Sequence, residues 1–290
     1  MCFPIFSSFL LIKSQHYDLK RFVCFLAKEV RNEITRARGA GARNFSITTA
    51  RRRLHRAGLR SRIAATKPHL TQQHKVKRLE WARDHRHWNR ADWKRCFFTD
   101  EAKFCRRSAD RTVRVWRRRD ETRYSDNLVN TVEPFGGGGV LVWGGICFGG
   151  RSELVIIRGN LNSDRYAREI LEPHVLPVAG AMDPERFVLV DDNARPHRAH
   201  RVDRFLEDQG ILRMDWPACS PDMNPIENVW GLLKRKISRL IRPEDTIQDL
   251  ENALIRDWKD LPQDYIDKCV LSMRRRTDAC VRAMGSYTKY

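Results

Sequence analysis

Three acidic side chains sit where chemistry tends to collect. Asp100 follows the short apolar run 96–99, Asp192 follows the apolar run 186–190, and Glu227 falls in the first turn of a helix that Asn224 caps and Pro225 opens. In an open α/β sheet, residues just past the strand ends face one shared crevice. Two strand-end carboxylates and one from a helix packed on the same sheet can therefore converge. Hard carboxylate oxygens suit Mg2+ or Mn2+ and not zinc. Two such ions about 4 Å apart would clamp the attacking and leaving oxygens of an in-line phosphodiester displacement, with no protein nucleophile needed. Each acid also has a plain alternative. Glu227 can simply complement its helix dipole. Asp100 and Asp192 have acidic neighbours, Glu101 and Asp191, and strand alternation sends one of each pair to the wrong face.

The elements that must carry these acids read as alternating α and β from Trp93 onward. Residues 96–99, 112–116 and 139–148 read as three strands, with Gly136–Gly139 as the loop entering the third. A helix over 164–171 capped by Ser163, a buried strand over 186–190, a helix over 199–209 stopped by Gly210, and a strand over 211–215 follow. The last core helix runs to about Leu240. Its residues Ile226, Val229, Trp230, Leu233, Ile237 and Leu240 form one apolar stripe at helical spacing. Three strands followed by alternating helices and strands make a mixed-sheet α/β plan of the ribonuclease-H-like kind.

Ahead of this lies a segment of different character. The chain has 55 Lys+Arg against 36 Asp+Glu, a formal net charge of +19. Residues 1–95 carry 23 basic and 6 acidic side chains, net +17, leaving 32 and 30, net +2, for the remainder. A polycationic segment attracts phosphate backbones through counterion release; the other reading is a solubilising surface. Ser46 is a good helix N-cap, and Gly58 stops the helix that follows. Leu54 can face inward, while Thr49, Arg51, Arg52, Arg53, His55 and Arg56 supply candidate DNA contacts on a short basic helix of the kind that enters the major groove. Arg60 and Arg62 continue them along an extended arm that also carries Lys67. From Leu70 to Arg90 the pattern is helical again, with Trp81 and Trp88 placed to pack this connector on the next domain.

Composition removes several classes of protein. With 41% apolar residues, 8 Trp and 13 Phe the chain can bury a real core. No run of about 18 apolar residues exists, so no membrane-spanning helix is expected. The apolar opening over residues 1–12 lacks a basic leader and a small-residue cleavage site, which argues against a signal peptide. The 8 cysteines form no CxxC pair and have no histidine at zinc-finger spacing, so reduced structural thiols are expected and zinc is not.

Several longer strings carry a resemblance. FTDEAKF (residues 98–104), GGGGVLVWGGI (136–146), DNARPH (192–197), WPACSPDMNPIENVWGLLKRKI (216–237) and the closing TKY (288–290) are similar to the Tc/mariner superfamily of DNA transposases, in its Tc-like branch with a Glu as third acid. That branch places 34 residues between its second and third acids, as do Asp192 and Glu227 here. The resemblance runs from about Ser46 to Tyr290. It implies that Asp100, Asp192 and Glu227 hold two Mg2+ ions per site, with Mn2+ able to substitute. Asn193 and His197 belong to the motif as site-orienting or structural residues. It further implies a cut-and-paste DNA transposase on double-stranded DNA, cutting at terminal inverted repeats and joining at a TA target. A homodimer on DNA and nuclear localisation are expected, with no membrane partner.

The resemblance also sets a domain plan: an unassigned apolar leader over 1–17, a helix-turn-helix DNA-binding segment and connector over 18–92, and a DDE-type catalytic domain with C-terminal helices over 93–290. The expected fold class is thus an α/β ribonuclease-H-like core preceded by a small all-α helix-turn-helix segment. The chain departs from the pattern at three places. Asp191 stands where relatives usually have Gln, and Met273-Arg274-Arg275-Arg276 has Arg where they often have Pro. Relatives also carry two helix-turn-helix units where only 45 residues precede Ser46, so the first unit is expected to be missing or replaced. Two further readings follow: a transposase-derived DNA-binding protein without catalysis, favoured by the shortened front, and an RNA nuclease sharing the chemistry but not the NPIEN and DNARPH strings.

Overall fold

The computed structural model describes residues 46–290 except 57, 64, 67, 106–113, 118–128, 131–138, 183–186 and 241–245. The leader over 1–17 and the segment up to residue 45 lie outside the described residues. The chain divides into two compact units, one of residues 1–68 and 110–133 and one of residues 69–109 and 134–290.

Among the described residues of the smaller unit, α1 (Ile47–Arg56) comes first. Ser46 caps it as expected, its Oγ accepting the Thr49 N–H at 3.1 Å. Ala50 is buried, with Ile47, Leu54 and Leu59 packed on it. The helix ends at Gly58, whose φ of 78° is a backbone state that glycine takes without strain. The extended arm is present as β1 (Arg60–Ile63) and β2 (Ala65–Thr66).

The larger unit starts with α2 (Gln72–Asp84), capped by Thr71, and α3 (Arg90–Lys94), capped by Asn89. The helical stretch expected over 70–90 is shorter, ending at Asp84, and a second helix starts at Arg90, where Asn89 accepts the Ala91 and Asp92 N–H groups. Trp81, Trp88, Trp93 and Trp216 pack ring on ring, with centroids 4.8 Å apart for Trp81–Trp216 and 4.7 Å for Trp88–Trp93. That cluster fixes the connector to the body, as its tryptophans promised.

Next come β3 (Cys96–Phe104), β4 (Arg114–Arg117), β5 (Val129–Asn130), β6 (Val140–Cys147), β7 (Gly150–Arg151) and β8 (Val155–Ile157). Two expectations change here. The first strand does not stop at Thr99: it continues through Asp100 to Phe104, since Ala102 and Phe104 still alternate into the core. The strand expected over 112–116 exists as β4 but is not in the core sheet. It pairs antiparallel with β1, Ser61 opposite Trp116, while β2 pairs with β5.

The rest alternates: α4 (Ser163–Arg165), a π-helix (Tyr166–Val175), α5 (Leu176–Ala181), β9 (Val188–Val190), α6 (His200–Asp208), β10 (Leu212–Arg213) and α7 (Ile226–Leu240). Asn162, not Ser163, caps α4, accepting the Arg165 N–H at 2.9 Å. The wider π winding holds Pro173, whose ring would strike a carbonyl one turn back in an α-helix. Helices α8 (Ile247–Lys259), α9 (Gln263–Val270) and α10 (Met273–Arg282) close the chain.

The main sheet runs β10-β9-β3-β6-β7, with β8 also on β6; β3 is antiparallel to β6 and parallel to β9. This is the mixed sheet expected, and side chains alternate across it. Phe98, Val142 and Val190 face a core shared with α7 and α8, whereas Phe97, Trp143 and Leu189 face the π-helix and α6. In α7 the stripe Ile226, Val229, Trp230, Leu233 and Ile237 is buried, but Leu240 is 49% exposed, so the stripe ends one turn early. The 6 described cysteines are free thiols, 4 of them buried, and burial pushes Cys96 up to about 12, as expected of a structural thiol.

Candidate active site

The parallel register Cys96↔Val188, Phe97↔Leu189, Phe98↔Val190 decides which acids meet. Continued two residues, it sets Asp100 alongside Asp192. Helix α7 reaches the same edge because its capping residue is tied to β3. Asn224 Nδ2 donates to the carbonyl of Thr99 at 3.2 Å, and Asn224 Oδ1 accepts the Ile226 N–H at 3.3 Å. Thr99 Oγ1 in turn donates to the Val190 carbonyl at 2.9 Å. Glu227 is therefore delivered to the end of the sheet where Asp100 and Asp192 stand.

Asp100 points to the α7 face, where Trp230 Nε1 donates to its Oδ2 at 3.1 Å. The glycine pair in VLVWGGI makes this contact possible. Gly144 lies opposite Asp100 in the antiparallel register. A Cβ there would come within 2.9 Å of the Trp230 ring, and one on Gly145 within 2.2 Å of the Phe97 ring. Without the first glycine, Trp230 could not lie against the sheet and reach Asp100. Burial raises the Asp100 carboxyl well above the usual carboxylate range, and the nearby charges of Glu227, Glu101 and Asp192 raise it further. Three acids thus oppose one another's ionisation around Asp100, a field that a divalent cation relieves.

Asp192 is held from the other side. Its Oδ1 accepts the Ala194 N–H at 2.8 Å and lies 2.8 Å from His197 Nδ1. His197 Nε2 is 3.4 Å from Glu101 Oε1, and its ring stacks on Tyr166 with centroids 4.1 Å apart. These His197 contacts are ionic approaches, not aligned as hydrogen bonds. Burial alone would lower His197, but Asp192 and Glu101 outweigh it and bring the imidazole up to about 10, so it stands protonated between them. Burial raises the Asp192 carboxyl, and His197, the Ala194 N–H and Arg198 more than offset that, leaving it lowered.

Among the described residues, the group whose ligand atoms all lie within 4.8 Å of one another is Glu101, Asp192 and His197. In the sequence Glu101 is only the neighbour on the wrong face. Its participation becomes visible once His197 bridges the sheet end. Asp192 is the shared member, half-exposed, with Asp100 and Glu227 toward α7 and Glu101 and His197 toward the π-helix. The carboxylate oxygens at this sheet end fit Mg2+ or Mn2+, with the protonated His197 as a charged neighbour and not a ligand.

The unusual Asp191 lies on the π-helix side with Glu101 and His197, and not among the charges that act on Asp100. It is 1% exposed, its Oδ1 3.2 Å from Arg198 Nη2 and its Oδ2 accepting from the Tyr166 hydroxyl at 3.5 Å, and its charge helps to raise His197. Asn193 is engaged inside its loop, donating to the Trp216 carbonyl at 2.6 Å and accepting from Arg198 Nε at 2.8 Å. In the smaller unit, Arg51, Arg52, Arg53, His55, Arg56 and Arg60 are exposed and Thr49 half-exposed, while Arg62 falls in β1. Arg60 Nη1 contacts His55 Nδ1, joining the helix to the arm.

Known proteins share both parts. A family profile described as DDE superfamily endonuclease matches residues 95–251, and one described as Transposase, of the Tc3 helix-turn-helix type, matches residues 27–87. The chain is 35% identical to the Tcb2 transposase of Caenorhabditis briggsae over 247 residues, 84% of this chain and 88% of that one. It is 35% identical to the Tc1 transposase of Caenorhabditis elegans over 248 residues, with the same coverage. Among solved structures, a Mos1 transposase paired-end complex with the left transposon end has a TM-score of 0.66 at 15% identity, covering 99% of this chain and 80% of that one. The Mos1 catalytic domain with raltegravir and Mg has a TM-score of 0.58 at 13% identity, covering 76% and 100%.

Proposed function

The chain belongs to the Tc-like transposases of the DDE superfamily of endonucleases, and on that premise we propose that it cuts and joins DNA at the ends of its own element. The observation that carries this reading is the meeting of Asp100, Asp192 and Glu227 at one end of the sheet, with their charges opposed around Asp100. The substrate is double-stranded DNA at terminal inverted repeats, and the target is a TA dinucleotide.

Asp100, Asp192 and Glu227 would hold two Mg2+ ions, or Mn2+ in their place. Metal held there would supply Lewis-acid chemistry, activating the attacking water or 3′ hydroxyl and offsetting charge at the leaving oxygen. The protein's part is to keep the carboxylates fixed: Trp230 Nε1 holds Asp100, while the Ala194 N–H and His197 hold Asp192. His197 orients Asp192 from the π-helix side, and Glu101 steadies the imidazole there. The exposed basic side chains of α1, with Arg60 and Arg62 of the arm, hold the duplex through its phosphates and groove. Two copies act together on two ends, a reading that the likeness to a Mos1 transposase paired-end complex supports. The site of action is the nucleus, where the DNA is.

Supercoiled DNA bearing the cognate ends should be nicked by the purified protein with Mn2+, and Asp192→Asn should abolish nicking. Equal nicking by the two proteins would remove Asp192 from the site.

A further inference from the structure

Asp100 and Asp192 ride on adjacent strands of one sheet, so their spacing is set by backbone hydrogen bonds. Glu227 has no such frame, because it arrives on a helix after the long loop 214–225. Besides the Asn224 tie to β3, that loop is held by a buried polar cluster that takes no part in the chemistry. Asp222, five residues before Glu227, accepts a fork from Arg78 of α2, Nη1 to Oδ1 and Nη2 to Oδ2, both at 2.8 Å. Asp222 Oδ2 also accepts the backbone N–H of Thr288 at 3.1 Å and its hydroxyl at 2.8 Å. Arg276 of α10 bonds on both sides of Glu227 in the chain, to the main chain at Asp222 and to the side chain of Asn228. Its Nη1 donates to the Asp222 carbonyl at 2.8 Å and its Nη2 to Asn228 Oδ1 at 2.5 Å.

The cluster is costly to build. Arg78 is 0% and Arg276 2% exposed. Each of the three side-chain hydrogen bonds of Arg276 goes to a neutral oxygen, Ser272 Oγ being the third. A buried cation with neutral partners is poor economy if stability is the aim, since a well-packed apolar side chain does as well or better. A planar fork in a fixed orientation does offer direction. The C-terminal turn is shaped to the same end. Gly285, at a φ of 77°, would put a Cβ 1.9 Å from the Lys75 carbonyl, and its own carbonyl accepts Arg78 Nε at 2.8 Å. Tyr290 lies against the guanidinium of Arg276, 4.7 Å from ring centroid to Cζ.

We propose that Arg276, together with Arg78 and the C-terminal Thr288, is a positioning clamp that sets Glu227 against Asp100 and Asp192, so that the last three residues of the chain help to build the metal site without touching it. This rests on the reading of Glu227 as a metal ligand. Groups that orient ligands from behind change metal affinity by about 10–100-fold when lost. Mg2+ demands near-ideal octahedral geometry, so a displaced Glu227 should harm Mg2+ use more than Mn2+ use.

The experiment is Mn2+ binding to the full chain, read by electron paramagnetic resonance, alongside thermal melting without metal and nicking in Mg2+ or Mn2+. Arg276→Lys should weaken Mn2+ binding about tenfold and reduce nicking in Mg2+ more than in Mn2+. Thr288→Val, which removes one hydrogen bond and keeps the shape, should move both readouts the same way by a smaller factor and decides the matter if Arg276→Lys melts early. Leu206→Ala, in the core on the other face of the sheet, should lower the melting temperature and leave Mn2+ binding as in wild type. Wild-type Mn2+ binding in both clamp variants, with loss of binding in Glu227→Gln, would overturn the clamp and leave Glu227 as a ligand. An equal shift in Leu206→Ala would also overturn it. Wild-type protein that binds no Mn2+ would overturn the functional reading and the clamp with it.

Discussion

The two compact units use charge in opposite ways. In the smaller one, Arg51, Arg52, Arg53 and Arg56 are exposed around a core of Ala50 with Ile47, Leu54 and Leu59 packed on it. In the larger one, the charges that matter are inside: Arg78 and Arg276 are buried, and Asp100 and Asp191 are pushed up by burial. Charge held in water costs little to place and serves a mobile, salt-screened polyanion. Charge taken out of water costs several kcal/mol unless paired, and it is retained here where it fixes direction. Of the overall excess of +19, +13 falls on the smaller unit (residues 1–68 and 110–133) and +6 on the larger.

This contrast predicts a graded set of responses. Arg78→Ala should be the most damaging, because it leaves the buried Asp222 carboxylate without its cationic partner; breaking a buried pair costs about 3–5 kcal/mol, and chemical denaturation should show it. Ser46→Ala removes the cap of α1 and should cost about 1 kcal/mol locally, read as faster amide exchange in residues 47–56. Replacing Arg51, Arg52 and Arg56 together by Ala should leave melting unchanged yet flatten the salt dependence of duplex binding, by about 0.9 in log–log slope for each phosphate that is no longer neutralised. A marked loss of fold in the last variant, or none in the first, would erase the distinction between the units.

Much of this is readable in the chain, for identifiable reasons. The apolar stripe of α7 at helical spacing and the Ser46 and Asn224 caps are local patterns, and local patterns survive folding. Strand ends are less legible. An apolar run stops at Thr99, but β3 continues because Ala102 and Phe104 still find the core, so Asp100 lies within a strand. The pairing of β4 with β1 joins segments about fifty residues apart, with nothing in either that names its partner. Glu101 meets His197 only when β9 places the DNARPH loop beside β3. Arg78 and Arg276 are opaque for a simpler reason: a basic residue in a basic chain reads as a solvated face, and only tertiary contact shows it to be buried.

Whether Asp100, Asp192 and Glu227 share divalent ions is tested most directly by melting the full chain with and without Mn2+, with Asp100→Asn as the comparison. Asn keeps an acceptor for Trp230 Nε1 and removes one of the opposed charges. In wild type, saturating Mn2+ should raise the melting temperature, by about 2.7 kcal/mol of stabilisation at a hundred times the dissociation constant. In Asp100→Asn the metal-free protein should melt higher than wild type and gain little from Mn2+. A variant that melts lower without metal, and still gains as much as wild type from Mn2+, would contradict the shared site.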